Sequence, residues 1–385
     1  MRPLPPTVKT LGWVSFWADV SSELVYPILP LFIVGTLKAP VWTVGLIEGL
    51  ALFMVSILRF WSGFQSDKIG RRVPFIRWGY GVAVISKPLL GLAQSWGFVL
   101  GCRLLDRFGK GIRTSSRDAL IADCVDKADA GRAFGYHRAM DASGAFCGVL
   151  IGIGLLYFLP NELRLILLLS GIPGIFAVLT TFFIKDVPHT PAPGSGWKFL
   201  TLPKETWMVL GITGVFGLAN SSDTFLLLRA QGVGMEPYQV AMLYGLFNLI
   251  YAALSMPLGV LSDKIGRANV LLMGWAGYAL VYLLVPASGP GLLILSFGLY
   301  GLVTAATDGV SKAFIVSHAP PDRKGTLMGI YYIITGVAAL LASMVAGLLW
   351  DRVNWQSAFW FGSALAGVAS LALLVFLRRF PESKA

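Results

Sequence analysis

The sequence has little charge and little cysteine. Charged residues make up 13% of the 385 positions, against roughly 25% in soluble domains, whereas hydrophobic residues make up 56%. The three cysteines show no C-x-x-C spacing, which excludes a disulfide framework and a zinc knuckle. These absences exclude a soluble enzyme core and a secreted disulfide-rich domain, and they indicate an integral membrane protein.

Several short motifs with defined chemistry are also missing. No G-x-x-x-x-G-K-[ST] phosphate loop occurs, which argues against ATP as an energy source. Neither G-x-S-x-G nor H-E-x-x-H occurs, so an intramembrane hydrolase is a remote alternative. We therefore expect a protein that is not an enzyme and that holds no cofactor or metal.

The formal net charge is +11, yet no basic block stands apart from the apolar segments. We therefore expect no nucleic-acid partner, and we attribute the excess of cations to anionic lipid and membrane topology.

Apolar runs of about 20 residues, long enough for a hydrocarbon core of roughly 30 Å, recur from end to end. Alternating barrel strands are absent, so the predicted class is an all-α membrane protein. The first run lacks a small-residue cleavage site, which favours a retained helix over a signal peptide. Twelve transmembrane helices are predicted at residues 10–37, 41–65, 74–94, 97–122, 132–158, 162–185, 206–231, 237–261, 269–287, 290–318, 325–350 and 355–378.

Lysine and arginine concentrate in alternate connections between these helices. The opposite connections contain little beyond Lys38, Arg164 and Arg352. By the positive-inside rule, both termini are predicted to be cytoplasmic in a multi-pass protein of the inner (plasma) membrane. The basic connections contain Lys68, Arg71, Arg72, Lys127, Arg132, Lys185, Lys198, Lys204, Lys264, Arg267, Arg323, Lys324, Arg378, Arg379 and Lys384.

The two halves of the chain repeat each other. The turn G-F-Q-S-D-K-I-G-R at 63–71 returns as G-V-L-S-D-K-I-G-R at 259–267, and S-S-E at 21–23 returns as S-S-D at 221–223. A third, looser match relates 117–135 to 311–329 at nearly the same offset. We therefore predict a duplicated six-helix unit, with bundles at 1–186 and 206–385 joined by a Pro- and Gly-rich cytoplasmic linker at 187–205.

Charge concentrates at residues 101–118 in the fourth predicted helix. Two interpretations fit: a surface helix facing cytoplasmic water, or a membrane helix whose charged side borders a water-filled pathway, because intramembrane charges are costly unless paired or hydrated. The charged positions recur at steps of three and four and so share one helical face: Arg103, Asp106, Arg107, Lys110, Arg113 and Arg117.

The G-x-x-S-D-K-x-G-R-R turn resembles the signature of the major facilitator superfamily between helices 2 and 3, and the second copy resembles its echo between helices 8 and 9. Arg103 and Gly109 resemble the R-x-x-x-G-x-G pattern of helix 4, with Arg107 where a glycine is usual.

Two further stretches bear on the branch of the superfamily. In the fifth predicted helix, Gly144 and Gly148 resemble the antiporter pattern G-x-x-x-G-P, with Val149 in place of the proline. The run D-x-S-S-E-x-x-Y-P-x-L-P at 19–30 resembles a bacterial permease branch.

The resemblance implies two pseudo-symmetric six-helix bundles around a central cavity lined by predicted helices 1, 4, 7 and 10. It also implies alternating access by rocking of the bundles, in a protein that we expect to be monomeric in the lipid bilayer. The charged stripe then faces that cavity. For its cytoplasmic end, at Arg113 and Arg117, contact with water or lipid headgroups is the alternative.

Polar side chains on these helices are the candidate substrate and proton sites. For each acid, a structural ion pair with a cation of the fourth helix is the alternative to a proton site. His137 is either a proton relay or a partner of Asp141 one turn away, and Lys87 is left without a role. The candidate substrate-binding residues are Arg103, Arg107, Lys110, Tyr26, Asn220 and Asp308, and the candidate proton-coupling residues are Asp19, Glu23, Asp223, His137 and Asp141.

The repeated turns are predicted to act as a gate. Asp67 and Asp263 would each meet a helix N-terminus of the opposite bundle, where the helix dipole favours negative charge, and latch the cytoplasmic side. The basic residues of the turns either take part or only set topology. The gating residues are Gly63, Asp67, Gly70, Arg71, Arg72, Asp263, Gly266 and Arg267.

The sequence thus predicts a proton-coupled secondary transporter of a small polar or anionic organic solute, slightly favouring efflux. The cations of the fourth helix favour an anion. Efflux of an amphipathic drug, or of a divalent metal held by acids and His137, is the first alternative. A transporter-like receptor that binds without transport is the second.

Overall fold

The computed structural model describes residues 4–69, 71–125, 130–187, 203–318 and 324–380. These residues form α-helices and no strand. A π-helical turn, Phe32–Thr36, follows the second helix, and a 3-10 turn, Val285–Ala287, follows the twelfth. The α-helices are α1 (Pro6–Val25), α2 (Ile28–Leu31), α3 (Val41–Ile69), α4 (Val73–Gly91), α5 (Trp96–Asp123), α6 (Ala130–Phe158), α7 (Leu163–Leu169), α8 (Gly171–Thr181), α9 (Lys204–Ala219), α10 (Thr224–Gly232), α11 (Pro237–Ile265), α12 (Arg267–Leu284), α13 (Pro290–Ser317), α14 (Lys324–Arg352) and α15 (Trp355–Arg379).

Within the described ranges, nine helical spans are long and apolar enough to cross a membrane. The helix α5 is not one of them, because its charged stripe interrupts every apolar stretch of sufficient length. The elements are consistent with twelve predicted helices, three of which are divided. The predicted helix 10–37 is interrupted at Pro27, which has no backbone N–H to donate. The predicted helix 162–185 is divided at Ser170, and 206–231 is divided at 220–223.

The chain packs into two compact units. Unit 1 comprises residues 1–39, 50–196 and 236–242, and unit 2 comprises residues 40–49, 197–235 and 243–385. Each unit therefore takes a short segment from the opposite half of the sequence. The predicted linker at 187–205 lies largely outside the described residues, so the predicted bundle boundaries stay a prediction.

Glycines bring the helices of unit 1 into backbone contact. A Cβ atom at Gly148 of α6 would lie 2.6 Å from the carbonyl oxygen of Val20 in α1, and one at Gly144 would overlap the carbonyl oxygen of Phe16. Likewise, a Cβ at Gly79 of α4 would lie 2.6 Å from the carbonyl oxygen of Gly109 in α5. Small residues are what allow membrane helices to approach this closely, so α1 packs on α6 and α4 packs on α5.

Arginines cap the ends of two helices in unit 1. The guanidinium of Arg77 donates from Nε to the carbonyl of Thr181 at 3.3 Å, at the carboxyl end of α8. Arg164 donates from Nη1 to the carbonyls of Gly91 at 3.1 Å and Ala93 at 2.6 Å, at the carboxyl end of α4. Both cations satisfy carbonyls that have no partner within the helix and complement the helix dipole.

Unit 2 packs around stacked aromatic rings. The rings of Phe216 in α9 and Trp275 in α12 stack with centroids 4.7 Å apart, and Trp275 is fully buried. The segment 40–49 lies on α14, where the backbone N–H of Trp42 donates to Asp351 at 2.7 Å. A Cβ atom at Gly347 would lie 2.6 Å from the Cα of Trp42, so this contact is also between backbones.

Candidate functional site

The charged stripe of α5 lies inside unit 1 and largely away from solvent. Arg103, Asp106 and Arg113 are each at most 7% exposed, and Arg107 and Lys110 are partly buried. The carboxylate of Asp106 lies 3.7 Å from Arg103 Nη1 and 3.8 Å from Arg107 Nε. Asp106 therefore forms the structural ion pairs that were the alternative to a proton site, and the surface-helix interpretation of the stripe is wrong.

The end of the stripe at Arg113 and Arg117 is also buried, which argues against the alternative of contact with water or lipid headgroups. The side chain of Arg117 is 15% exposed and lies 2.9 Å from Asp118 Oδ1. Arg113 is 5% exposed, and its guanidinium stacks on the ring of Tyr80, with Cζ 4.0 Å from the ring centroid. This burial follows from the close approach of α4 and α5, which places the Arg113 Cβ only 2.7 Å from the position of a Cβ at Gly79.

The candidate residues of α1 lie beside the stripe. Arg103 Cζ is 5.9 Å from the ring centroid of Tyr26, which brings two predicted substrate-binding residues together. Asp19 is close enough for Lys110 and Arg113 to act on its charge, but no ion pair within 4.0 Å and no hydrogen bond forms to its carboxylate in the described part of the chain. Glu23 packs against α6, where its Cβ lies 3.1 Å from the position of a Cβ at Gly148.

A hydrogen-bonded network surrounds Ser15 in the core of unit 1. Its hydroxyl oxygen accepts from Arg117 Nη1 at 3.2 Å and lies 2.8 Å from His137 Nε2 and 3.3 Å from the hydroxyl of Tyr80. The Nδ1 atom of His137 is 3.7 Å from Asp141 Oδ2, beyond hydrogen-bond range. His137 therefore hydrogen-bonds to Ser15, whereas its predicted partner Asp141 lies at ion-pair distance and not at hydrogen-bond distance.

The hydroxyl of Ser15 can satisfy all three of its neighbours. A serine hydroxyl has one hydrogen and two acceptor lone pairs. Arg117 uses one lone pair as a donor, so Ser15 can donate to either His137 Nε2 or the Tyr80 hydroxyl and accept from the other. The network therefore accommodates either tautomer of the neutral ring.

Lys87 of α4, which the sequence left without a role, is buried at 3% exposure. Its ammonium donates to Ser22 Oγ at 2.9 Å, Ser21 Oγ at 3.1 Å and the carbonyl of Ala18 at 3.4 Å. The acceptors are the S-S pair of the repeated S-S-E/D motif. A signal existed in the sequence, because Lys87 and Tyr80 are seven residues apart and share a face of the helix.

In unit 2, the predicted seventh helix is broken where the repeated motif returns. Residues 220–223 are not α-helical. The backbone N–H of Ser222 donates to Ser343 Oγ at 3.2 Å, and the hydroxyl of Tyr278 donates to the carbonyl of Ala219 at 3.0 Å. These bonds satisfy backbone groups that the break leaves without helical partners. Asn220 is exposed at the break.

Asp223 lies at the edge of a cluster of tyrosines that sequence reasoning missed. The hydroxyl of Tyr300 donates to Asp223 Oδ1 at 2.5 Å. The rings of Tyr278 and Tyr282 stack with centroids 4.2 Å apart, and the Tyr282 hydroxyl lies 3.5 Å from Ser221 Oγ. The four-residue step from Tyr278 to Tyr282 is the signal that could have revealed a polar aromatic face on α12.

Asp308 of α13 is held by two partners. The hydroxyl of Tyr251 donates to its Oδ2 at 2.9 Å, and Lys312 Nζ lies 2.8 Å from its Oδ1. Both members of the ion pair are about two-fifths exposed, at 41% for Asp308 and 39% for Lys312. Asp308 in unit 2 thus resembles Asp106 in unit 1, because each carboxylate is ion-paired with a cation of its own helix.

Comparison with known proteins identifies the fold. The family model of the Major Facilitator Superfamily matches residues 11–250 and 209–385. The chain belongs to the major facilitator superfamily. It is 36% identical to an uncharacterized MFS-type transporter of Methanocaldococcus jannaschii, over 97% of this chain and 95% of that protein. The protein is therefore embedded in a membrane.

The chain is also similar to a second curated protein in sequence and to a solved transporter in fold. The chain is 29% identical to the multidrug resistance protein MdtG of Salmonella typhimurium, over 72% of both chains. The crystal structure of the POT family transporter PepTSo has the same fold, with a TM-score of 0.83 at 13% identity over 98% of this chain and 99% of that chain.

In this superfamily member, the first signature turn is only partly described. Gly63 and Asp67 lie in α3, but the structure describes only their backbone. Gly70 lies outside the described residues. Arg71 is exposed, whereas Arg72 is 5% exposed and donates from Nε to Asp123 Oδ2 at 3.2 Å. Arg72 therefore holds the end of α5 within unit 1, in addition to any role in topology.

The second signature turn is described in full. Gly266 has a φ of 97°, a region that side chains disfavour, and it separates α11 from α12. Arg267 Nη2 lies 3.3 Å from Asp263 Oδ1, and Arg267 Nη1 donates to the carbonyl of Ala313 at 3.2 Å. Asp263 is 65% exposed. Within unit 2, Asp263 thus contacts Arg267 of the same turn. The predicted latch between the repeated turns and the opposite bundle stays a prediction.

A divalent metal site would need several ligating side chains close together. Within the ranges that the structure covers, no group of three or more His, Cys, Asp or Glu side chains is placed to hold a metal ion. The ring of His137 instead contacts a serine and lies beside one acid.

Proposed function

We propose that this protein is a proton-coupled secondary transporter that moves a small organic anion across the inner (plasma) membrane by alternating access, in the direction of export. Both termini would be cytoplasmic. The proposal joins three parts: the coupling ion, the charge of the solute and the direction of transport.

The carboxylate of Asp19 supports the choice of the proton as the coupling ion. It lies in a membrane-spanning helix, and within the described residues it forms no ion pair within 4.0 Å and no hydrogen bond. A carboxyl in this setting can exchange a proton, because no ion pair within 4.0 Å and no hydrogen bond holds it ionised and a charge in a membrane-spanning helix is costly. Asp106 is a poorer candidate, because Arg103 and Arg107 already neutralise it.

The cations of α5 support a negative charge on the solute. Arg103, Arg107, Lys110 and Arg113 line one face of α5, with Asp106 as the acid among them. A face with this excess attracts a carboxylate or phosphate, which arginine binds through two parallel hydrogen bonds. Export is supported by the 29% identity to MdtG, a multidrug resistance protein.

Proteoliposomes that enclose the pH dye pyranine test the proposal. We expect succinate, added with an imposed pH gradient, to move protons in the wild type but not in Asp19→Asn. The matched control is Glu205→Gln, because Glu205 is an exposed acid in the first turn of α9. Coupled proton movement by Asp19→Asn at the wild-type rate would refute the role of Asp19. No solute-dependent proton movement by the wild type would instead favour a non-transporting receptor.

Drug efflux is the second candidate, and a specific observation favours it. The rings of Tyr278, Tyr282 and Tyr300 pack together with Asp223 at the edge of the cluster, and aromatic faces with a carboxylate are the chemistry that binds organic cations. Ethidium in the same proteoliposomes separates the two candidates. Proton movement with ethidium and not with succinate would select drug efflux.

A further inference from the structure

Arg113 presents unused hydrogen-bond donors inside unit 1. Its side chain is 95% buried, and its guanidinium face is occupied by the ring of Tyr80 at 4.0 Å. The Nε atom is fully buried without a hydrogen-bond partner in the described part of the chain. Stacking uses the face of a guanidinium and leaves its N–H donors free at the edge. The edge of Arg113 is therefore free to bind an acceptor.

The surrounding helices fix Arg113 in place. A Cβ at Gly79 would lie 2.7 Å from the Arg113 Cβ, and a Cβ at Gly109 would overlap the carbonyl oxygen of Gly79. Because the two backbones touch, the arginine stem has little freedom to choose another rotamer. A pre-positioned guanidinium loses less entropy when it binds an anion than a mobile one does.

Lys87 supplies a second cation on the same face of α4 as Tyr80. Its ammonium is bonded to three neutral oxygens, from Ser21, Ser22 and Ala18, and no carboxylate lies within 4.0 Å of it in the described part of the chain. Arg113 stacks on Tyr80, and Lys87 lies about two helical turns further along the same face of α4, so both cations lie on the same side of that helix.

The acids nearby are fewer than the cations. Asp106 is ion-paired with Arg103 and Arg107 and also acts on the charge of Lys87, and Asp19 lies near the cluster without an ion pair within 4.0 Å. Buried charges are costly unless they are paired or hydrated. An anion would balance the excess of positive charge.

We infer that Arg113 and Lys87 form an anion subsite in unit 1 that takes a carboxylate or phosphate group. The guanidinium edge of Arg113 would bind two oxygens of the anion, and the ammonium of Lys87 would neutralise its remaining charge. The inference deepens the proposed function, on which it rests for the transport step, by fixing the substrate class as an anionic solute.

Thermal unfolding of the purified protein, followed by its intrinsic tryptophan fluorescence, tests binding without transport. The probes are inorganic phosphate and succinate, compared with chloride at constant ionic strength. We expect the wild-type Tm to rise with the concentration of at least one of them, because a ligand bound only to the folded state stabilises it. Absence of a rise with either anion would overturn the subsite.

Two substitutions distinguish a binding role from a structural role. Arg113→Gln and Lys87→Gln should each abolish the anion-dependent shift. Arg113→Gln should leave the ligand-free Tm equal to or above that of the wild type, because a buried charge without an ion pair is removed. Lys87→Gln also disturbs three hydrogen bonds, so its anion-dependent shift alone is compared with the wild type. Arg138→Gln is the matched control, since Arg138 is 74% exposed on α6, and it should change neither value. A lower ligand-free Tm in Arg113→Gln with the shift retained, or failure of this variant to fold, would assign Arg113 a structural role and overturn the inference.

A third arm identifies the source of the anion. Phosphatidylglycerol in mixed micelles tests a lipid headgroup against the free anions, and a Tm shift with this lipid alone would overturn the solute subsite. Failure of the subsite and failure of transport remain distinct. An Arg113-dependent shift without solute-driven proton movement refutes only transport, and proton movement driven by succinate with no Arg113-dependent shift refutes only the subsite.

Discussion

Gly109 of α5 is in backbone contact with α4, and this contact positions the candidate site of unit 1. A Cβ atom at Gly109 would overlap the carbonyl oxygen of Gly79 and would lie 3.0 Å from the backbone nitrogen and 3.1 Å from the Cβ of Ala83. Ordinary carbon contacts are about 3.5–4.0 Å. The substitution Gly109→Ala therefore forces the two helices apart, because a backbone carbonyl cannot rotate away as a side chain would.

The expected loss follows from overpacking. Adding a methyl group to a filled contact typically costs about 1–3 kcal/mol. Alanine also raises helix propensity by about 1 kcal/mol over glycine, which partly offsets this loss. The matched control is Gly101→Ala, on the same helix, where a Cβ would meet nothing within 4 Å. Both variants gain the same propensity, so the difference between them, about 1–3 kcal/mol, isolates the contact.

Unfolding in SDS mixed micelles measures this difference. We expect Gly101→Ala to match or exceed the wild type in stability and Gly109→Ala to be less stable than Gly101→Ala by the stated amount. Equal stability of the two variants would refute the reasoning that this glycine sets the separation of α4 and α5.

Two further substitutions test how helix ends are fixed. Asp186→Ala removes the carboxylate that accepts from the backbone N–H groups of Arg72 at 3.2 Å and Val73 at 3.4 Å, and loss of such a cap costs about 0.5–2 kcal/mol. Asp186→Asn keeps an acceptor and should lose less in the same SDS titration. Gly266→Ala places a side chain at a φ of 97° and should cost about 1–3 kcal/mol. Gly259→Ala has open space around the added Cβ and should be neutral or stabilising; equal behaviour of the two glycine variants would contradict this account.

The helices of this fold are largely predictable because hydropathy and length act locally. The predicted spans at 41–65 and 290–318 correspond to α3 and α13, since an apolar run long enough to cross a bilayer satisfies its backbone only as a helix. The break at 220–223 is different. Its N-S-S-D sequence favours local side-chain bonds, but the partners that stabilise it, Ser343 and Tyr278, come from distant helices.

The sequence predicted which residues of the candidate site share a helical face, but it did not predict how deeply each side chain is buried. Periodicity placed Arg103 and Arg113 on one side of α5, yet it gave no reason to bury Arg113, because that burial depends on Gly79 of a different helix. The role of Lys87 was hidden for a similar reason, since its serine partners lie 65 and 66 residues earlier in the chain. Spacing reports neighbours on one helix, whereas tertiary packing decides which of them meet across helices.

The internal duplication shows where the two units differ chemically. Ser21 and Ser221 are the first serines of the repeated motif, and each is met from the helix that follows the signature turn of its own half. In unit 1 the partner is the ammonium of Lys87 at 3.1 Å, and in unit 2 it is the hydroxyl of Tyr282 at 3.5 Å. The same hydrogen-bonding position is therefore cationic in one half and neutral in the other. Because an ionised group attracts an anion more strongly than a neutral hydroxyl does, this asymmetry gives a physical reason to place the proposed anion subsite in unit 1, where the ammonium of Lys87 lies.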